Sequence, residues 1–203
     1  LGTYCDTLSP VYSIYDTTMM GNTTGGNFRK FFGLQKNVLL VVDRAEYALP
    51  TSWRNRFLEQ VGAQGTRILR VVDANQTPKA MESEIIQTLA VNPAIDSIIC
   101  TTQNGTCAAL RAVERYGRFV PILGADFNQE IAQGIYDGTI RASIVRNSYA
   151  YGYMGIENAI RILCGQGIAE TRTLDALVIN SENLFDPAYA PLLYDITAAP
   201  DGD

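Results

Sequence analysis

Six short apolar runs recur along the chain, and several are apolar on both faces instead of alternating. They are 37–42 (NVLLVV), 67–72 (RILRVV), 96–100 (DSIIC), 120–124 (VPILG), 140–145 (IRASIV) and the shorter 176–179 (ALVI). A strand with two apolar faces must be covered on both, which helices above and below a parallel sheet accomplish. The segments between the runs carry the helical period. In 77–90, Ile85, Ile86, Leu89 and Ala90 make one stripe; Thr77-Pro78 opens the helix as cap and first-turn proline, and Asn92-Pro93 closes it. In 104–116, Ala108, Leu110, Ala112 and Val113 face inward and Gly117 follows the last turn. Segments 129–136 and 149–163 are two more helices. This order of strand and helix predicts an α/β class: a three-layer αβα arrangement around a mainly parallel sheet, with right-handed crossovers.

Ligands of such sheets bind outside the carboxyl ends of the strands. The rule selects Asp43 and Arg44 after the first strand, residues 101–104 after the third, Asp126, Phe127 and Asn128 after the fourth, and Arg146 and Asn147 after the fifth. Asp126 follows the apolar run ILGA, where a carboxylate needs a partner or a ligand. It either caps the helix over 128–136 or holds a ligand. The planar fork of Arg146 suits hydroxyl, carboxylate or phosphate oxygens, and it either binds these or pairs with Asp126.

The rest of the sequence removes whole classes of chemistry. Among the 203 residues there is no histidine, which excludes Ser–His–Asp and Cys–His catalysis and the commonest zinc ligand. Sixteen Lys and Arg stand against twenty-one Asp and Glu, a net charge of −5. Without a basic run such a chain has little to neutralise nucleic-acid phosphates, and no nucleic-acid partner is expected. Cys5, Cys100, Cys107 and Cys164 form no CxxC pair. They read as small buried apolar side chains, a disulfide staying open, and no metal or other cofactor is expected. No run is long enough to span a membrane. The first residue is Leu1, and no basic segment followed by an apolar run precedes it. The chain is then either a form from which a signal peptide was removed or a piece of something longer.

Two glycine-rich stretches lose their nucleotide-binding reading. The run 21–26 (GNTTGG) lacks the Lys-Ser/Thr of a phosphate loop and follows no strand, so it reads as a turn or as tight helix packing. Gly165-Gln-Gly167 follows a helix instead of opening one, and reads as a C-cap. The triplets at Asn22, Asn75 and Asn104 match the glycosylation pattern, which chance supplies often.

A series of longer motifs carries a family resemblance: NPAIDSII from Asn92, AALRAVERYG from Ala108, PILGAD ending at Asp126, IAQGIYDGTIRASIVR ending at Arg146, and YAYGYMGIENAIRILCG from Tyr149. In this order they resemble the type I periplasmic sugar-binding proteins, whose fold also forms the effector domain of lactose-repressor-like regulators. The resemblance implies a ligand-binding protein without a catalytic step. Asp126 matches the carboxylate that binds sugar hydroxyls, with Ala125 where many members carry a stacking aromatic. Arg146 stands where a glutamine is usual, as it also does in receptors for furanose-type signals. Thr102 and Gln103 take the places of an Asn-Asp pair, and Asp6 matches an aspartate after the strand that leads toward the hinge. The family's helix arginine, four residues before Phe57, falls on Trp53, with Arg54 beside it. The implied ligand contacts are thus Asp126, Arg146, Thr102, Gln103, Asp6, Trp53, Arg54 and Phe127.

Members have two lobes, and most of the N-terminal lobe has no counterpart here. Residues 1–15 and 147–175 match parts of that lobe, 16–146 and 176–197 a C-terminal lobe, and 198–203 a frayed tail. The implied role is binding of a sugar or sugar derivative for transport or sensing outside the cytoplasm, beside a membrane transporter or sensor. An effector domain is the alternative, and would need a helix-turn-helix headpiece. The apolar face of the 149–163 helix (Ile156, Ala159, Ile160, Leu163) normally covers the other lobe. A homo-oligomer or a partner chain is expected to cover it here.

Overall fold

The computed structural model describes residues 17–33, 35–43, 53–61, 65–146, 148–166, 176–189 and 193. Six strands form one sheet: β1 (Asn37–Val42), β2 (Arg67–Asp73), β3 (Ser97–Cys100), β4 (Ile122–Ala125), β5 (Ile140–Val145) and β6 (Leu177–Asn180). Their order across the sheet is β2-β1-β3-β4-β5-β6. The first five are mutually parallel and β6 runs antiparallel to β5. The described residues include six helices: α1 (Thr17–Phe32), α2 (Trp53–Val61), α3 (Pro78–Val91), α4 (Gln103–Tyr116), α5 (Gln129–Tyr136) and α6 (Ser148–Leu163).

The two-faced apolar runs have the expected cause. In β1, Leu39 and Val41 join one core cluster, with Met81, Ile85 and Leu89 of α3, Ala108 and Ala112 of α4, and Ile131 and Ile135 of α5. Val38, Leu40 and Val42 point the other way, into a second cluster with Phe28 of α1 and Phe57 and Val61 of α2. Register fixes the layers: Val38 stands opposite Ser97 and Val41 opposite Cys100 in the neighbouring β3. The amino end of β1 is further held by Asp96, whose carboxylate accepts the Asn37 N–H at 3.1 Å.

Capping follows the sequence closely. Thr77 accepts from the Ala80 N–H with Pro78 in the first turn of α3. Gly117 ends α4 in the left-handed region at φ 74° and donates its N–H to Val113. Gly165, at φ 68°, donates to Ile162 beyond α6. The glycine-rich run 21–26 lies inside α1, and Gly25 in it serves close packing. A Cβ on Gly25 would stand 2.5 Å from the Gln60 Cβ of α2, so the two helices approach closer than any side chain would allow. Beside that contact Phe28 stacks on Phe32 at 4.8 Å and meets the edge of Phe57 at 5.7 Å.

One expectation needs correction, and one feature of the mainly parallel sheet goes beyond what the sequence foresees. Cys100 and Cys107 are buried, but Cys164 is exposed, and all three are free thiols; Cys5 lies outside the described residues. The strand-to-helix alternation also fails to foresee the direction of β6. Leu177 pairs with Val145, the last residue of β5, and Asn180 with Ala142. The chain therefore enters β6 at the carboxyl end of the sheet. A crossover helix must return the chain to the amino end, so α6 is no crossover of this sheet.

Candidate ligand-binding site

The carboxyl ends of β3, β4 and β5 lie side by side, and the loops leaving them bring together most of the polar residues selected from sequence. Asp126 leaves β4 and Arg146 leaves the adjacent β5. The Arg146 Nε donates to Asp126 Oδ1 at 2.8 Å and Nη2 to Oδ2 at 2.5 Å, a two-pronged pair. The aspartate side chain is 18% exposed and the arginine 43%, so the pair sits at a rim with one side to solvent. Such a half-wet pair contributes at most about 1 kcal/mol to stability. Its geometry matters more: a fork fixes both planes, so the guanidinium is presented at the rim in one orientation.

Asp126 is not the cap of α5. Asn128 is, accepting the Ile131 N–H at 2.8 Å, while its amide donates to the Cys107 sulfur at 3.3 Å. Asp126 instead has a left-handed backbone at φ 61°, unusual for a residue with a side chain. Phe127 is half-buried and packs against the core cluster below. Burial pushes the thiol of Cys100 far up and raises that of Cys107, where the Asn128 amide opposes the shift. Both therefore stay protonated thiols, poor nucleophiles.

After β3, Thr102 caps α4. Its hydroxyl oxygen accepts the Gly105 N–H at 3.1 Å, which leaves the hydroxyl proton to give. Gln103 begins the helix and is exposed. Asp43 follows β1 and is half-buried. Trp53 and Arg54 open α2, but their side chains lie outside what the structure describes. Asp6, Arg44 and Asn147 fall outside the described residues altogether. Two buried hydroxyls next to the aspartate, Ser143 and Thr106, escaped sequence reasoning. The only available signal was a serine inside an otherwise apolar strand and a threonine inside a small-residue helix.

A family model described as "Periplasmic binding protein domain" matches residues 10–167. The chain belongs to the type I periplasmic binding proteins. Members of this family work outside the cytoplasm. Three solved structures illustrate the similarity. GanP, a glucose-galactose binding protein from Geobacillus stearothermophilus, superposes with a TM-score of 0.74 at 19% identity over 88% of this chain and 67% of its own. A solute-binding protein of an ABC transporter from Agrobacterium vitis, solved with bound D-fucose, gives 0.76 at 18% identity, over 90% of this chain and 65% of its own. The XylFII–LytSN complex gives 0.67 at 20%, over 84% of this chain and 62% of its own. At these identities the likeness is one of fold. The chain spans about two thirds of the length of these relatives. A search of the curated proteins finds no match. No helix among the described residues is long and apolar enough to cross a membrane.

Proposed function

We propose that the chain binds a small polar solute, a sugar or sugar derivative, outside the cytoplasm, for a membrane transporter or sensor and without a catalytic step. The observation that carries this reading is the Asp126–Arg146 fork at the carboxyl ends of β4 and β5, the edge where open α/β sheets take ligands. Thr102 and Gln103, one strand away, are the next contacts, and Phe127 supports the loop that carries Asp126. Asp6, Trp53 and Arg54 complete the proposed set on the strength of the family resemblance. Arg146 biases the site toward sugar acids and phosphorylated sugars, because a guanidinium gives charged, paired hydrogen bonds to anionic oxygens. The structures similar to this chain are solute-binding proteins, which favours this role over that of a repressor's effector domain. The test is calorimetric titration of the chain with D-galactose, D-galacturonate and D-ribose 5-phosphate. We expect the two anionic sugars to bind more tightly than the neutral one. Stronger binding of D-galactose, or heat from none of the three, would sink the reading.

The same reading assigns 16–146 and 176–197 to one lobe and 1–15 and 147–175 to the beginnings of a second. Two observations support it: β6 re-enters the sheet from its carboxyl end, and α6 carries an exposed stripe of Tyr153, Ile156, Ile160 and Leu163 at helical spacing. A stripe of this kind marks an interface. Self-association through α6 is expected in light scattering at micromolar concentrations, and Ile156→Glu combined with Ile160→Glu is expected to abolish it. A chain that runs as a clean monomer throughout would remove this part of the proposal.

A further inference from the structure

The left-handed region costs an ordinary residue about 1 kcal/mol or more; Asp and Asn enter it more readily, and their surroundings hold them there. Asp126 is such a residue, at the centre of the proposed site. Its N–H donates to Ile144 O at 2.9 Å, which continues the ladder to β5 by one rung. Its carbonyl accepts the Ser143 hydroxyl at 2.6 Å. One residue earlier, the Ala125 N–H donates to Thr106 Oγ1 at 2.9 Å. That hydroxyl lies 2.9 Å from Thr102 O and 3.2 Å from Ala125 O. It has a single proton, which the shorter contact claims as a helix back-bond, leaving its lone pairs for Ala125. Ser143 and Thr106 have no exposed surface. Gly124 threads between them: a Cβ there would stand 2.6 Å from Thr106 Cγ2 and 3.2 Å from Ser143 Oγ. Two hydroxyls, one from α4 and one from β5, thus close on three consecutive residues of β4 and its turn.

We propose that Ser143 and Thr106 are positioning residues, which hold the backbone of Ala125 and Asp126 in the turn that aims the Asp126 carboxylate at Arg146 and at the solute. Only the last step, the solute, rests on the binding role proposed above. Packing alone does not ask for hydroxyls here, since alanine and valine would fill the same places in an apolar layer without desolvating a polar group. What the hydroxyls add is a fixed backbone direction at one carboxylate. Truncating either one leaves a backbone group of the turn without its partner. The turn can then relax, and the two-pronged pair with Arg146 loosens with it.

The first readout needs no ligand. In nitrogen-15-labelled protein the Arg146 Nε–H, assigned by its loss in Arg146→Lys, reports the fork through its exchange with solvent. We expect Ser143→Ala and Thr106→Val to speed that exchange about tenfold, the factor that roughly one lost hydrogen bond carries. Thr106→Ser restores the hydroxyl and should stay within about twofold of the unaltered chain, well inside what one such bond would change. In calorimetry, the first two variants should lose affinity for D-galacturonate by a similar factor, and Thr106→Ser should not. Unchanged exchange in Ser143→Ala, or Thr106→Ser as disruptive as Thr106→Val, overturns the assignment. If Ser143→Ala does not fold, the comparison of Thr106→Val with Thr106→Ser decides alone. If the unaltered chain ignores D-galacturonate while the exchange pattern holds, the positioning role stands and the binding role falls.

Discussion

Arg146→Gln is expected to reverse the solute preference of the site, lowering affinity for D-galacturonate and D-ribose 5-phosphate while leaving or improving that for D-galactose. The wild-type guanidinium has already spent two N–H groups on Asp126, at 2.8 and 2.5 Å. The guanidinium meets an anionic ligand as part of a charged unit, whereas the glutamine amide is neutral, with one donor group and one acceptor. Asp126→Ala differs in kind. It removes the acceptor for sugar hydroxyls and frees the arginine from its fork, so it should weaken neutral and anionic sugars alike, by ~1–3 kcal/mol. Because the side chains touch, their effects will not add. Combining both changes should cost less than the sum of the two, with a coupling of about 0.5–3 kcal/mol in a double-mutant cycle. Calorimetry on the four proteins tests this. An affinity profile untouched by Arg146→Gln would make the pair a strut of the fold with no part in binding.

The second large effect lies in the layer formed by α1 and α2. Phe57 has no exposed surface, meets Phe28 edge-on and shares its cluster with Val38, Leu40 and Val42 of β1. Phe57→Ala is expected to destabilise the chain by ~3–5 kcal/mol, since the rigid strand beneath cannot collapse into the space left. Denaturant unfolding reads this as a lower midpoint at unchanged slope. A loss below about 1 kcal/mol, smaller than truncation of any well-packed aromatic, would mean that the two helices do not seal that face of the sheet.

Much of this architecture was legible because burial on two faces leaves a strong trace in residue type. The run NVLLVV had to be a covered strand, and Thr77-Pro78 and Gly117 marked helix ends through backbone requirements that few other residues meet. α1 was harder to see. Its glycines lower helix propensity, and the reason for Gly25 is the Gln60 side chain of another helix, a contact invisible along the chain. The direction of β6 was hidden for a related cause, since a four-residue apolar run carries no sign of which end pairs first. In the site, Asp126 and Arg146 stood out by position, at the ends of adjacent runs. That they clasp each other required the sheet order, and that Asn128 rather than Asp126 caps α5 required the turn. Ser143 and Thr106 left almost no trace, because a buried hydroxyl serving a backbone carbonyl or N–H looks like any small residue in an apolar stretch.

The reversed entry of β6 brings two distant parts of the chain together. The chain leaves this sheet after Val145 and returns to it at Leu177, two residues that pair with one another. The chain's exit from the sheet and its return to it therefore stand side by side at a single point. Arg146 is the first residue past that point on the outgoing side, and α6 begins two residues later at Ser148. Half of the Asp126–Arg146 fork thus stands within two residues of the helix that carries the exposed apolar stripe.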